Sequence, residues 1–202
     1  ARSFRWRGDL QKAELWVDTA LQLAEATSNR AVVSRAVVVA AEVMLARGAV
    51  SDAEQALSQA MQDFERVGDR MGFWLALARW SWTLRLQGRY SDALSQLYQR
   101  LPEASQSQDP TAYIELLLAT AWIELDLSRL GRAQECTDEL AATVHRGEHL
   151  HLRLEAQLLN GRILLSSGQY RAAAWILQEV HRSAQRAELR VLAEQARALW
   201  AE

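Results

Sequence analysis

The chain has 202 residues, half of them hydrophobic and 24% charged, with a formal net charge of −2. That balance offers no basic face for a polyanion, so direct nucleic-acid contact is not expected, and no stretch of about eighteen apolar residues is available to cross a membrane. Cys136 is the lone cysteine, which excludes an intrachain disulfide. With no apolar signal-peptide segment among the first residues, the sequence reads as soluble, bacterial in type and cytoplasmic. Lys12 is the sole lysine among 23 basic residues, a bias that a GC-rich genome accounts for. The same bias supplies guanidinium groups able to make planar, bidentate and stacking contacts.

In chain order, apolar spacing predicts helices over 9–27, 30–47, 50–67, 70–87, 91–106, 110–127, 131–146, 149–167, 170–187 and 190–201, with residues 1–7 as the last turns of another. Residues 33–45 are apolar nearly throughout, as in a helix packed on both sides, whereas Ala53, Ala56, Leu57, Ala60, Met61 and Phe64 form a narrower stripe. Between these two segments Gly48 can take the left-handed conformation that ends a helix, and Ser51 or Asp52 can cap the next. Pro102, inside the segment 91–106, should kink that helix or end it early. Pro110 suits a helix start. Connections this short make neighbouring helices antiparallel.

The turns repeat. Gly8, Gly48, Gly88, Ser128 and Gly168 are 40 residues apart. Five residues after each stands an alanine, Ala13, Ala53, Ala93, Ala133 and Ala173. Seven residues before each stands a small residue, in Ala1, Ala41, Ser81, Ala121 and Gly161, and Ala201 opens another cycle. A fixed period of about 20–50 residues marks a stacked-repeat architecture. We therefore expect one all-α domain over 1–202, built of ten to eleven helices in antiparallel pairs. The chain starts in mid-helix and stops as a new cycle opens, which suggests a piece of a longer solenoid or a chain that associates through its ends.

The segments Ser81…Gly88-Arg89-Tyr90-Ser91-Asp92-Ala93 and Gly161…Gly168-Gln169-Tyr170-Arg171-Ala172-Ala173 resemble the tetratricopeptide repeat. The likeness spans the whole chain, with a period of 40 in place of the usual ~34. Repeats of this length resemble those of large bacterial signal-transduction ATPases and LuxR-type activators. The resemblance implies a right-handed superhelix whose first helices line a concave groove. It also implies a binding role in a transcription regulator, toward a protein or peptide partner or a small-molecule inducer, with no cofactor. A free-standing adaptor or assembly chaperone that grips extended peptides is the alternative. An enzyme or metal-binding accessory domain is the remote one.

No catalytic constellation is present. His145, His149 and His151 with Glu148 could approach a metal, but Gly147 interrupts the helix that would align them, so no metal site is assigned. The candidate site is instead the groove. Steps of 40 carry one first-helix position through Arg2, Glu42, Trp82, Trp122 and Arg162. Neighbouring positions bring in Arg35, Arg85, Glu115 and Asp126. Tryptophan beside arginine is the composition of interaction hot spots, although Trp82 and Trp122 would also serve as space-filling residues. Trp74, Trp80 and Trp200 are expected in the core. Thr120 and Asn160, polar in an otherwise apolar column, would either bond between helices or mark a small-molecule pocket.

Overall fold

The computed structural model describes residues 9–144 and 150–201. Among these it has ten helices and no strand: α1 (Leu10–Ala26), α2 (Arg30–Ala46), α3 (Val50–Val67), α4 (Arg70–Leu86), α5 (Tyr90–Ala104), α6 (Thr111–Asp126), α7 (Leu130–Thr143), α8 (Leu150–Ser166), α9 (Tyr170–Arg186) and α10 (Arg190–Ala201). The fold is an all-α helical repeat. Packing divides it into two compact units, one of residues 9–116 and one from Leu117 onward, with α6 supplying residues to both. In the first unit α1 packs on α2, α2 on α3, α3 on α4 and α4 on α5, and in the second α7 packs on α8, α8 on α9 and α9 on α10.

The repeat is visible in the backbone. Left-handed residues occur at Ser28, Gly48, Gly68, Gly88, Ser128, Gly168 and Glu188, at multiples of a 20-residue half-period. After each first helix the chain closes in a Schellman-type bond, from Ala49 N to Met44 O, Arg89 N to Leu84 O, Arg129 N to Glu124 O and Gln169 N to Leu164 O. The residue then entering the second helix has no side-chain cap: Ala49, Arg89, Arg129 and Gln169 make no such bond. The expected capping by Ser51 or Asp52 is thus corrected, because α3 already begins at Val50 and both residues lie inside its first turn. Side-chain caps are found at the start of α1, where Asp9 Oδ1 accepts from Lys12 N (3.2 Å), and at the other turn. Asn29 accepts from Ala31 N (3.0 Å), Asp69 from Gly72 N (2.9 Å) and Asp109 from Thr111 N (2.9 Å), each satisfying an amide that an N-terminal turn leaves without a helical partner.

The alanine column forms the centre of the packing. Ala13, Ala53, Ala93, Ala133 and Ala173 are all fully buried, as are Ala41, Ser81 and Ala121. At Gly161 even a methyl group would lie 2.7 Å from Leu177 Cδ2 across the α8–α9 seam. Small side chains here set how closely paired helices approach. Pro102 sits in the last turn of α5, which ends two residues later. Trp74 is buried, but Trp80 is only half-buried and Trp200 is exposed. The sequence expectation of a core role therefore fails for Trp200, which is 45% exposed on α10.

Candidate functional site

Trp82 and Trp122 stand at equivalent positions of the 40-residue repeat on α4 and α6, and each carries an arginine. On α4, one turn separates Trp82 from Arg85, and the Arg85 guanidinium carbon lies 4.9 Å from the Trp82 ring centre. In the second unit Arg162 of α8 lies 5.5 Å from the ring of Trp122 on α6. Both distances fall within cation–π range. Trp82 and Arg85 are half-buried, Trp122 is buried and Arg162 is exposed.

Glu42 and Glu115, expected on the same face, are more deeply buried than a solvated groove position would be, at 3% and 2% exposure. The residue that joins them is Arg79. Its Nε donates to Glu42 Oε1 at 2.6 Å and its Nη2 to Glu115 Oε1 at 2.5 Å. A single guanidinium thus ties α2, α4 and α6 together within the first unit. Fork-like donation to two carboxylates suits arginine and no other side chain. Sequence reading missed Arg79, although a signal existed. Its column is otherwise Val39, Ala119 and Leu159, and a lone charge in an apolar column calls for buried partners.

Arg35 is exposed and reaches Asp69 with Nη2 at 2.7 Å and Nε at 3.2 Å. Burial pushes the Asp69 carboxyl up, but the Gly72 N–H and the Arg35 guanidinium outweigh it and hold the carboxyl below its ordinary 3.8. Arg35 therefore braces a helix cap. Asp126 ends α6, half-buried. A comparable pair between α4 and α5 went unpredicted: Arg100 of α5 lies 5.0 Å over the Phe73 ring of α4, and the other repeats carry alanine, leucine or valine in place of Arg100.

Cys136 is half-buried, and burial followed by the Glu124, Glu139 and Glu135 carboxylates pushes its thiol up to about 11, so it is protonated and a poor nucleophile at neutral pH. Among the described residues no group of three or more histidine, cysteine or carboxylate side chains is placed to hold a metal. His145 and His149 lie outside those residues, and His151 is half-buried on α8. Thr120 is buried and Asn160 half-buried. No described helix is long and apolar enough to cross a membrane. An open concavity of about 740 Å³ runs along α3 beside Glu54, Gln55, Gln59 and Gln62; it brings no aromatic or basic side chain together. The sequence matches no protein-family model and no curated protein.

Proposed function

We propose that this chain is a non-catalytic binding solenoid of tetratricopeptide type, the sensor or interaction region of a larger cytoplasmic bacterial regulator of transcription. The observation that carries this reading is the placement of an arginine over each of Trp82 and Trp122, two equivalent first-helix positions. Aromatic rings under guanidinium groups combine apolar contact area with charge-assisted donors, the features that concentrate binding energy in interfaces. The preferred partner offers a carboxylate to an arginine and an apolar side chain to the ring beneath it, to Arg85 and Trp82 in the first unit or, separately, to Arg162 and Trp122 in the second. The buried Glu42–Arg79–Glu115 bridge supports the reading by fixing the face on which Trp82 stands, since preorganised groups bind at lower entropic cost.

A library of random peptides displayed on phage, selected against the protein, supplies a probe. Hydrogen exchange with the best peptide bound should slow in α4 for the first-unit pair, or around Trp122 and Arg162 in α6 and α8 for the second-unit pair. Protection confined to the second helices α3, α5, α7 and α9 would refute the assignment of the binding face.

A further inference from the structure

One second helix carries a basic, aromatic face that the other repeats lack. On α9, Arg171, Trp175, Arg182 and Arg186 fall within an arc of about 60° at ~3.6 residues per turn and span about 22 Å of helix. All four are exposed. Trp175 is 71% exposed, although tryptophan is a residue that folding normally covers. The opposite side of α9 is occupied. Ala173, Leu177, Val180 and Ala184 are buried, Leu177 lies against Gly161 of α8, and His181 Nδ1 donates to the Ala193 carbonyl of α10 at 2.8 Å.

The same face is open on α3, α5 and α7, each of which is followed by further helices, so its exposure belongs to the fold. Ser51, Ser91 and Gly131 share the column of Arg171, Gln55, Ser95 and Glu135 that of Trp175, and Gln62, Pro102 and Ala142 that of Arg182; all are exposed. What changes on α9 is the chemistry, since none of those positions holds a cation or a ring. Arg66, in the column of Arg186, pairs with Asp63 three residues back at 3.3 Å, but α9 has Ser183 at that place. Among the described residues no carboxylate pairs with Arg171, Arg182 or Arg186. The one acid of α9, Glu179, stands at the edge of the arc and accepts from Ser183 Oγ at 3.3 Å.

We propose that the outer face of α9 is a second docking site, separate from the first-helix face, which takes a short acidic polypeptide segment. Carboxylates of the segment meet Arg171, Arg182 and Arg186, and one apolar side chain packs on Trp175. Guanidinium groups receive carboxylates through paired, charge-assisted hydrogen bonds, and an exposed tryptophan among arginines has the make-up of an interface anchor. The charge around the stripe selects the class of partner. On α7, one repeat earlier, the outer face carries Glu135, Asp138 and Glu139, all exposed, so a long polyanion such as single-stranded nucleic acid gains contacts on α9 and meets repulsion beyond it. A bilayer surface needs a broad apolar face, and here a single ring is offered. A segment no longer than α9 uses the three free cations and avoids the acids.

Fluorescence anisotropy tests this with a labelled synthetic peptide of about 15 residues, rich in glutamate and alanine with a central leucine, which as a helix matches the stripe in length. The peptide should bind the 202-residue chain and weaken as salt is added. Trp175→Ala and Arg182→Gln should each reduce affinity by about tenfold or more, and a peptide with serine in place of the leucine should bind less tightly to the wild-type chain. Both positions are exposed, so melting should stay unchanged. Trp82→Ala and Arg162→Gln should leave this affinity as it is, which separates the site from the first-helix face. Absence of binding would overturn the proposal, as would affinity that ignores Trp175 and reflects diffuse charge alone. A loss reproduced by Trp82→Ala would move the peptide to the first helices and overturn it too. Tighter binding of a thymidine homopolymer or of anionic phospholipid vesicles, lost on the same α9 substitutions, would assign the face to another class of partner.

Discussion

Replacing Arg79 by methionine should unfold the first unit at markedly lower temperature. The guanidinium is only 11% exposed and faces two carboxylates that are 3% and 2% exposed, at 2.6 and 2.5 Å. Methionine retains most of the stem volume, so packing changes little. What remains is a pair of buried carboxylates whose shared cation is gone, and removing one partner from a buried ion pair costs about 3–5 kcal/mol. For a chain of this size that corresponds to a fall of roughly 6–20 °C in Tm. Replacing all three residues together, with Glu42→Leu, Arg79→Met and Glu115→Leu, should cost far less than Arg79→Met alone, because no charge is left stranded. Thermal melts of both variants check the reasoning. A loss below about 1 kcal/mol for Arg79→Met would mean that the bridge is solvated and refute it.

Three smaller perturbations bear on the repeat itself. Ser128→Gly should stabilise the protein by about 0.5–1 kcal/mol in denaturant titrations, because Ser128 holds φ 58°, a conformation that costs an L-residue about 1–2 kcal/mol, part of which glycine returns through its freer unfolded chain. Gly161→Ala should destabilise by about 1–3 kcal/mol, since the added methyl meets the Leu177 side chain at 2.7 Å; an unchanged midpoint would show that the α8–α9 seam is looser than drawn. Asp69→Asn keeps a capping oxygen but cannot ionise, so the wild-type advantage should be present at neutral pH and disappear as pH falls below about 4, the carboxyl being held below 3.8. A wild-type advantage that is independent of pH would count against the Arg35–Asp69 pair.

Helix positions were legible in the sequence because two periods coincide, the 3.6-residue apolar spacing and the 40-residue return of turn and alanine. Among the described residues predicted and observed boundaries agree within three residues, and Ala13 through Ala173 are buried in every cycle; the helical turns expected over 1–7 lie outside those residues. Turn chemistry was less legible. Serine and glutamate at Ser28, Ser128 and Glu188 occupy left-handed positions that composition alone would assign to glycine. At the site, the positions of Trp82 and Trp122 could be read from their column, but burial could not. Glu42 looks like a groove residue until Arg79, 37 positions away, is seen to reach it. Long-range pairing of this kind depends on how adjacent helices are staggered, which a one-dimensional period does not specify.

The central claim is that first helices carry a binding face built on arginine-covered tryptophans, and Trp82→Ala tests it most directly. Affinity for a library-selected peptide and thermal stability should be measured on the same preparation. The account predicts a loss of about 2 kcal/mol or more in binding, as hot-spot truncations give, with a melting curve that keeps its cooperativity and most of its Tm. Unchanged affinity accompanied by a collapse in Tm would contradict it, and would assign Trp82 to packing alone.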